Sequence, residues 1–109
     1  MDKLATAADL PEVLDCQAVM DCISNHLAAI REFEVYSLAL FGSVARNEAT
    51  ANSDLDFLVE FSGPATFHGY MGLKFFLEDL FDRSVDLVIK KDLKAVIRDT
   101  VIEEAVNVA

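Results

Sequence analysis

The chain has 109 residues, close to the roughly 100–150 typical of one domain, and is read as a single domain over 1–109 with residues 1–10 flexible. Hydrophobic residues make up 53% of it and mean hydropathy is +0.31, so a core can form and disorder is excluded as the main state. Nineteen acidic residues against nine basic give a net charge of −10, which disfavours direct binding to nucleic acid or an anionic membrane.

Pro11 is placed to open a helix, and Leu14, Ala18, Cys22, Ile23, Leu27 and Ile30 follow at spacings of three and four, predicting a first helix over about 11–32. Its two cysteines, Cys16 and Cys22, are too few for a disulfide scaffold or a zinc site and read as thiols of a reducing compartment. No apolar run reaches the ~20 residues that span a bilayer and the start lacks a signal-peptide pattern, so a cytoplasmic location is expected. Val35 to Phe41 is apolar and rich in β-favouring residues, a short buried strand ending at Gly42. Gly42 to Asn47 reads as a tight turn into a brief helix.

From Asp54 the pattern alternates, with Leu55, Phe57, Val59 and Phe61 on one side and Asp54, Asp56, Leu58 and Glu60 on the other, the signature of a second strand. Ser62-Gly63-Pro64 ends it, and Tyr70, Leu73, Leu77 and Leu80 predict a helix over Phe67 to Phe81. Ser84 to Ile89 alternates as a third strand, and Leu93 to Val106 returns to helical period. The expected architecture is α/β (α+β): a small mixed sheet of three to four strands flanked by helices.

Asp54, Asp56 and Asp86 sit on the faces of strands two and three opposite the apolar residues. Asp is depleted in strands, and carboxylates at i and i+2 project to one side and repel each other unless a cation lies between them. A hard divalent cation such as Mg²⁺ suits that arrangement, held by carboxylates and substrate phosphates, and a third carboxylate would complete a two-metal site. Where strand one ends, Gly42 permits close backbone approach and leaves N–H groups pointing outward, Ser43 adds a hydroxyl donor, and Arg46 can reach a phosphate or a partner.

The run Leu40-Phe41-Gly42-Ser43-Val44-Ala45-Arg46 and the later Asp54-Leu55-Asp56, with ten residues between Ser43 and Asp54, resemble the Gly-Ser, Asp-x-Asp signature of the DNA polymerase β nucleotidyltransferase superfamily. Val85-Asp86-Leu87-Val88 looks like that family's third carboxylate strand. With its short length, the chain resembles the minimal nucleotidyltransferase (MNT) antitoxins over roughly residues 16–108. Three departures are Val44, where a larger or basic residue is frequent, Asn47, where Gly is frequent, and Ala95, where Pro is common.

The resemblance implies a polymerase β-like fold and an Mg²⁺-dependent transfer of AMP from ATP to an acceptor hydroxyl. In MNT antitoxins the acceptor is a tyrosine of a cognate HEPN-domain RNase toxin, so a toxin partner in a hetero-oligomer is implied. Gly42 and Ser43 would hold phosphates with Arg46 nearby, and Asp54, Asp56 and Asp86 would bind two metal ions. Two alternatives stay open at this point: a free-standing enzyme acting on a small-molecule hydroxyl, and a non-catalytic antitoxin that works by binding. Glu60, His26 and His68 are expected to be structural or solvated. Lys90, Lys91, Lys94 and Arg98 are read as a solvated start to the last helix.

Overall fold

The computed structural model describes residues 10–109, so the expected flexibility of 1–10 falls almost wholly outside the described part. Helix α1 spans Cys16–Asn25 and α2 Leu27–Arg31; strand β1 follows at Val35–Phe41, the short helix α3 at Gly42–Ala45, and β2 at Leu55–Phe61. Helix α4 covers Phe67–Phe81, β3 Val85–Ile89, α5 Ala95–Glu104 and β4 Val106–Asn107, with one 3₁₀ turn at Lys90–Asp92 before α5.

The sheet has four strands in the order β3-β2-β1-β4. Strand β2 runs antiparallel to β1 and parallel to β3, so it lies between the strand that leads into the Gly42 turn and the strand that carries Asp86. Its apolar side chains explain that position: Leu55, Phe57 and Val59 are fully buried, and they join Leu38, Leu40, Leu73, Leu77, Ile23 and Ile30 in one core. Each such side chain contributes about 1.5–3 kcal/mol on burial. Leu58, on the opposite face of β2, is buried as well, so that face is partly covered.

Helix α4 has the predicted bounds. Thr66 caps it, accepting from the Gly69 N–H at 3.0 Å. Asp82 closes it in the left-handed conformation at φ 52°, which a short polar side chain tolerates. The Tyr70 hydroxyl donates to the Leu87 carbonyl and ties α4 to β3. Gly72 lowers helix propensity, yet a Cβ there would stand 3.1 Å from the Phe33 ring, so its absence lets α4 approach the end of the α2 segment.

Two predicted helices are corrected. The first helix starts at Cys16 and not near Pro11, because the Asp15 carboxylate accepts from the Ala18 N–H at 2.8 Å and makes Asp15 the cap. It is interrupted at His26, whose Nδ1–H donates to the Cys22 carbonyl at 2.9 Å, while the His26 N–H turns to Ile23 O at 3.0 Å. The last helix ends at Glu104 and not at Val106: Val106 and Asn107 form β4 against Leu40 and Ala39, the Val108 N–H donates to the Leu38 carbonyl, and the Leu38 N–H donates to the Ala109 carbonyl.

Cys22 is buried, Cys16 is partly exposed, and neither forms a disulfide. Burial raises both thiol pKa values, Cys16 feeling the Asp15 charge as well. Among the described residues no helix is long and apolar enough to cross a membrane.

Candidate active site

Strand register brings the predicted residues together. Phe41, the last residue of β1, pairs with Asp56, and Asp56 pairs with Asp86 on β3. Paired residues of neighbouring strands project to the same side of a sheet, so the carboxyl groups of Asp56 and Asp86 stand side by side, one strand away from the turn at Gly42. Asp54 lies just before β2, where Leu55 N–H bonds to Ser84 O at 3.0 Å and holds the entries of β2 and β3 level. Asp82, the acidic residue that precedes β3, belongs to the end of α4.

Gly42 adopts φ +77°, and a Cβ built on it would fall 2.1 Å from Asp56 Oδ2. Both facts require glycine: the conformation is strained for other residues, and the carboxylate already fills the space a side chain would need. The turn backbone and the Asp56 carboxyl are therefore in direct contact. Helix α3 continues from this turn with Val44 anchored in the core. After α3, Asn47 takes φ 58°, which explains an asparagine where glycine is frequent, and its Oδ1 accepts from the Cys16 N–H at 2.9 Å.

Asp54 and Asp86 are exposed and Asp56 is half-buried. Burial, the first cause, raises the Asp56 pKa; the charges of Asp86, Asp54 and Glu104 raise it further, and Arg46 opposes them. A cation among these carboxylates would relieve that repulsion. Among the described residues no three acidic, histidine or cysteine side chains are gathered into a metal-ligand group. Mg²⁺ needs no such cage, being held as a rule by one or two carboxylates with phosphates and waters, and the paired carboxylates of Asp56 and Asp86 suit it in their oxygen chemistry.

Arg46 is exposed and pairs with Glu104, its Nη1 lying 3.2 and 3.1 Å from the two carboxylate oxygens, and its Nε lies 3.5 Å from Glu48. These partners hold the guanidinium in its charged form. Glu104 Oε1 also accepts from the Gly42 N–H at 3.0 Å. Sequence reasoning missed Glu104 altogether: it lies 62 residues from Gly42, and nothing in the local pattern of α5 marks it.

The remaining charged candidates are structural. Glu60 pairs with Lys90 at 3.0 Å at the far end of β2, so Lys90 is an ion-pair partner and not merely solvated. His26 caps α1 and meets Phe76 edge-on, and His68 is exposed on α4. In the Phe-rich helix, Phe81 is in the core while Phe67 and Phe75 are exposed. A groove of about 480 Å³ lies between Val59, Phe61, Ile89, Lys90, Arg98 and Ile102, away from the acidic strand starts.

Residues 23–108 match the family model of the nucleotidyltransferase domain. The protein adenylyltransferase MntA of Thermococcus cleftensis is 36% identical over 97 residues, which are 88% of this chain and 98% of that one. A solved structure assigned as a minimal nucleotidyltransferase superposes with a TM-score of 0.74 at 33% identity, covering 85% of this chain and 95% of its own. The fold extends to a toxin–antitoxin structure solved with AMP-PNP, with a TM-score of 0.65 at 22% identity over 78% of this chain and 71% of that one. The Gly42-Ser43 turn and the Asp54, Asp56 pair thus stand in a chain that belongs to the nucleotidyltransferase domain family, with a mixed four-stranded sheet and the size of its minimal members.

Proposed function

We propose that this chain transfers the AMP group of ATP to a tyrosine hydroxyl of a partner protein, a HEPN-family RNase toxin that the modification silences, and releases diphosphate. The observation that carries the reading is the register Phe41–Asp56–Asp86, which sets the Gly42 turn beside two acidic strand starts. A relative named protein adenylyltransferase MntA and the likeness of fold to a toxin–antitoxin structure with AMP-PNP support it.

In this reading the Gly42 N–H and the Ser43 hydroxyl hold the β- and γ-phosphates, and Arg46 neutralises them from the flank. Asp54, Asp56 and Asp86 would hold Mg²⁺, which neutralises phosphate charge and acidifies the attacking hydroxyl. A bond forms between the acceptor oxygen and the α-phosphorus while the bond from that phosphorus to the β-phosphate oxygen breaks. Diphosphate leaves with the electron pair, and the acceptor proton passes to solvent beside Asp86, an exposed carboxylate. A toxin docking on this open surface supplies the tyrosine in a hetero-oligomer.

The test uses ATP labelled at the α-phosphate, with Mg²⁺, this protein and an extract of its source cell, and Asp56→Ala in parallel. Label on one protein band with the wild type alone is the expected result. Label on a small molecule would replace the protein acceptor with a free-standing activity, and no transfer would leave an antitoxin that acts by binding.

A further inference from the structure

The Gly42 turn, the phosphate site of the reading above, already has an anion in it. Glu104 Oε1 accepts the Gly42 N–H at 3.0 Å, and both oxygens of the same carboxylate take the Arg46 guanidinium at 3.2 and 3.1 Å. A main-chain amide and an arginine converging on two oxygens of one anion form the recognition pattern of a phosphoryl group. Glu104 therefore sits on the donors that a nucleotide needs.

The element that carries it is poorly anchored. No residue of α5 is buried, and Val96, Ile97 and Ile102 are 86%, 47% and 40% exposed. Arg98 turns back onto the Leu93 carbonyl at 3.0 Å, a bond local to the start of the helix. The last turn is held through Glu104 and the following strand β4. Packing offers little resistance to moving this turn, so a stronger anion can take over its contacts.

We propose that Glu104 is a stand-in for nucleotide phosphate: it holds the Gly42 amide and Arg46 while the site is empty, and entering nucleotide displaces it and frees the last turn of α5. The proposal rests on the reading of Gly42 and Arg46 as phosphate-binding. The opposite role, a fixed clamp that orients Arg46 for the nucleotide, predicts the opposite sign in the same experiment.

The experiment compares binding of a β,γ-imido analogue of ATP with Mg²⁺ by calorimetry in wild type, Glu104→Gln and Glu103→Gln. Glu104→Gln keeps an acceptor for Gly42 but gives up the charge that competes for Arg46, so its affinity is expected to rise by about three- to tenfold. Glu103→Gln removes the same charge from an exposed neighbour and is expected to stay within about twofold. Hydrogen exchange over residues 95–104 is the second readout. In the wild type, the analogue speeds exchange in the last turn of α5; in Glu104→Gln, exchange there is fast before it is added.

Unchanged or weaker binding by Glu104→Gln, with the wild type binding normally, would overturn the stand-in and leave the nucleotide site in place. Unaltered exchange in nucleotide-saturated wild type would overturn it too. Failure of all three proteins to bind the analogue would remove the phosphate site and the proposal together.

Discussion

Strand β2 and helix α5 both bring carboxylates to the Gly42 turn, but they hold them by different means. Asp56 grows from a strand whose neighbours Leu55 and Phe57 are fully buried and which is bonded to β1 on one side and β3 on the other. Glu104 ends a helix with no buried residue, and its place depends on its own polar contacts with Gly42 and Arg46. The proposed function needs carboxylates fixed to a fraction of an ångström and finds them on the well-packed strand, while the carboxylate proposed to yield to nucleotide sits on the loosely packed helix.

Substitutions separate the two regions. The largest effect is expected for Asp54→Ala or Asp56→Ala, which lower AMP transfer by about a thousandfold or more while circular dichroism stays that of the wild type, since neither side chain is part of the core. Gly42→Ala follows. Its Cβ would collide with Asp56 Oδ2 and its φ of +77° is strained for alanine, so transfer falls by about a hundredfold and stability by about 1–2 kcal/mol, read from activity and from urea unfolding.

Asp56→Asn sharpens the contrast between activity and stability. Burial first, then Asp86, Asp54 and Glu104, raise the Asp56 pKa, so the folded chain holds that proton more tightly than the unfolded one. Stability therefore falls as pH rises from the ordinary carboxylate pKa through the raised one, and the penalty is complete above it. In metal-free protein Asp56→Asn is expected to melt higher than wild type at neutral pH, with the gain vanishing below the ordinary carboxylate range, while AMP transfer is lost. A melting temperature equal to that of the wild type at pH 7 would contradict the crowding of negative charge at β2. The smallest effect belongs to Val96→Ser on the exposed face of α5, which is expected to shift unfolding by no more than about 0.5 kcal/mol.

The same contrast explains what was legible in the sequence. Strands β1, β2 and β3 and helix α4 show in the periodicity because they carry the core, and the spacing of Gly42-Ser43 to Asp54 and Asp56 needs only that β1 and β2 pair. The periodicity alone sets the start of α1 near Pro11, and only the bond from Ala18 to the Asp15 carboxylate moves it to Cys16. The break at His26 depends on an imidazole capturing the Cys22 carbonyl, and helical spacing continues unbroken across it.

Strand β4 and Glu104 were illegible for a shared reason: both are defined by distant partners. Val106 and Asn107 are a strand only because β1 leaves an edge for them, and their apolar pattern otherwise extends α5. Glu104 matters through Gly42 and Arg46, which local sequence does not bring near it. Arg46 itself was singled out from sequence, but the carboxylates that hold it, Glu48 and Glu104, were not.

The most direct test of the central claim replaces Mg²⁺ with paramagnetic Mn²⁺, adds the β,γ-imido analogue of ATP and records amide spectra of the labelled protein. Selective broadening is expected at Gly42, Ser43, Leu55, Asp56 and Asp86, with Phe61 and Lys90 at the other end of the sheet left sharp. Broadening centred on the groove at Lys90 and Arg98, or none at the Gly42 turn and the Asp56 strand, would contradict it.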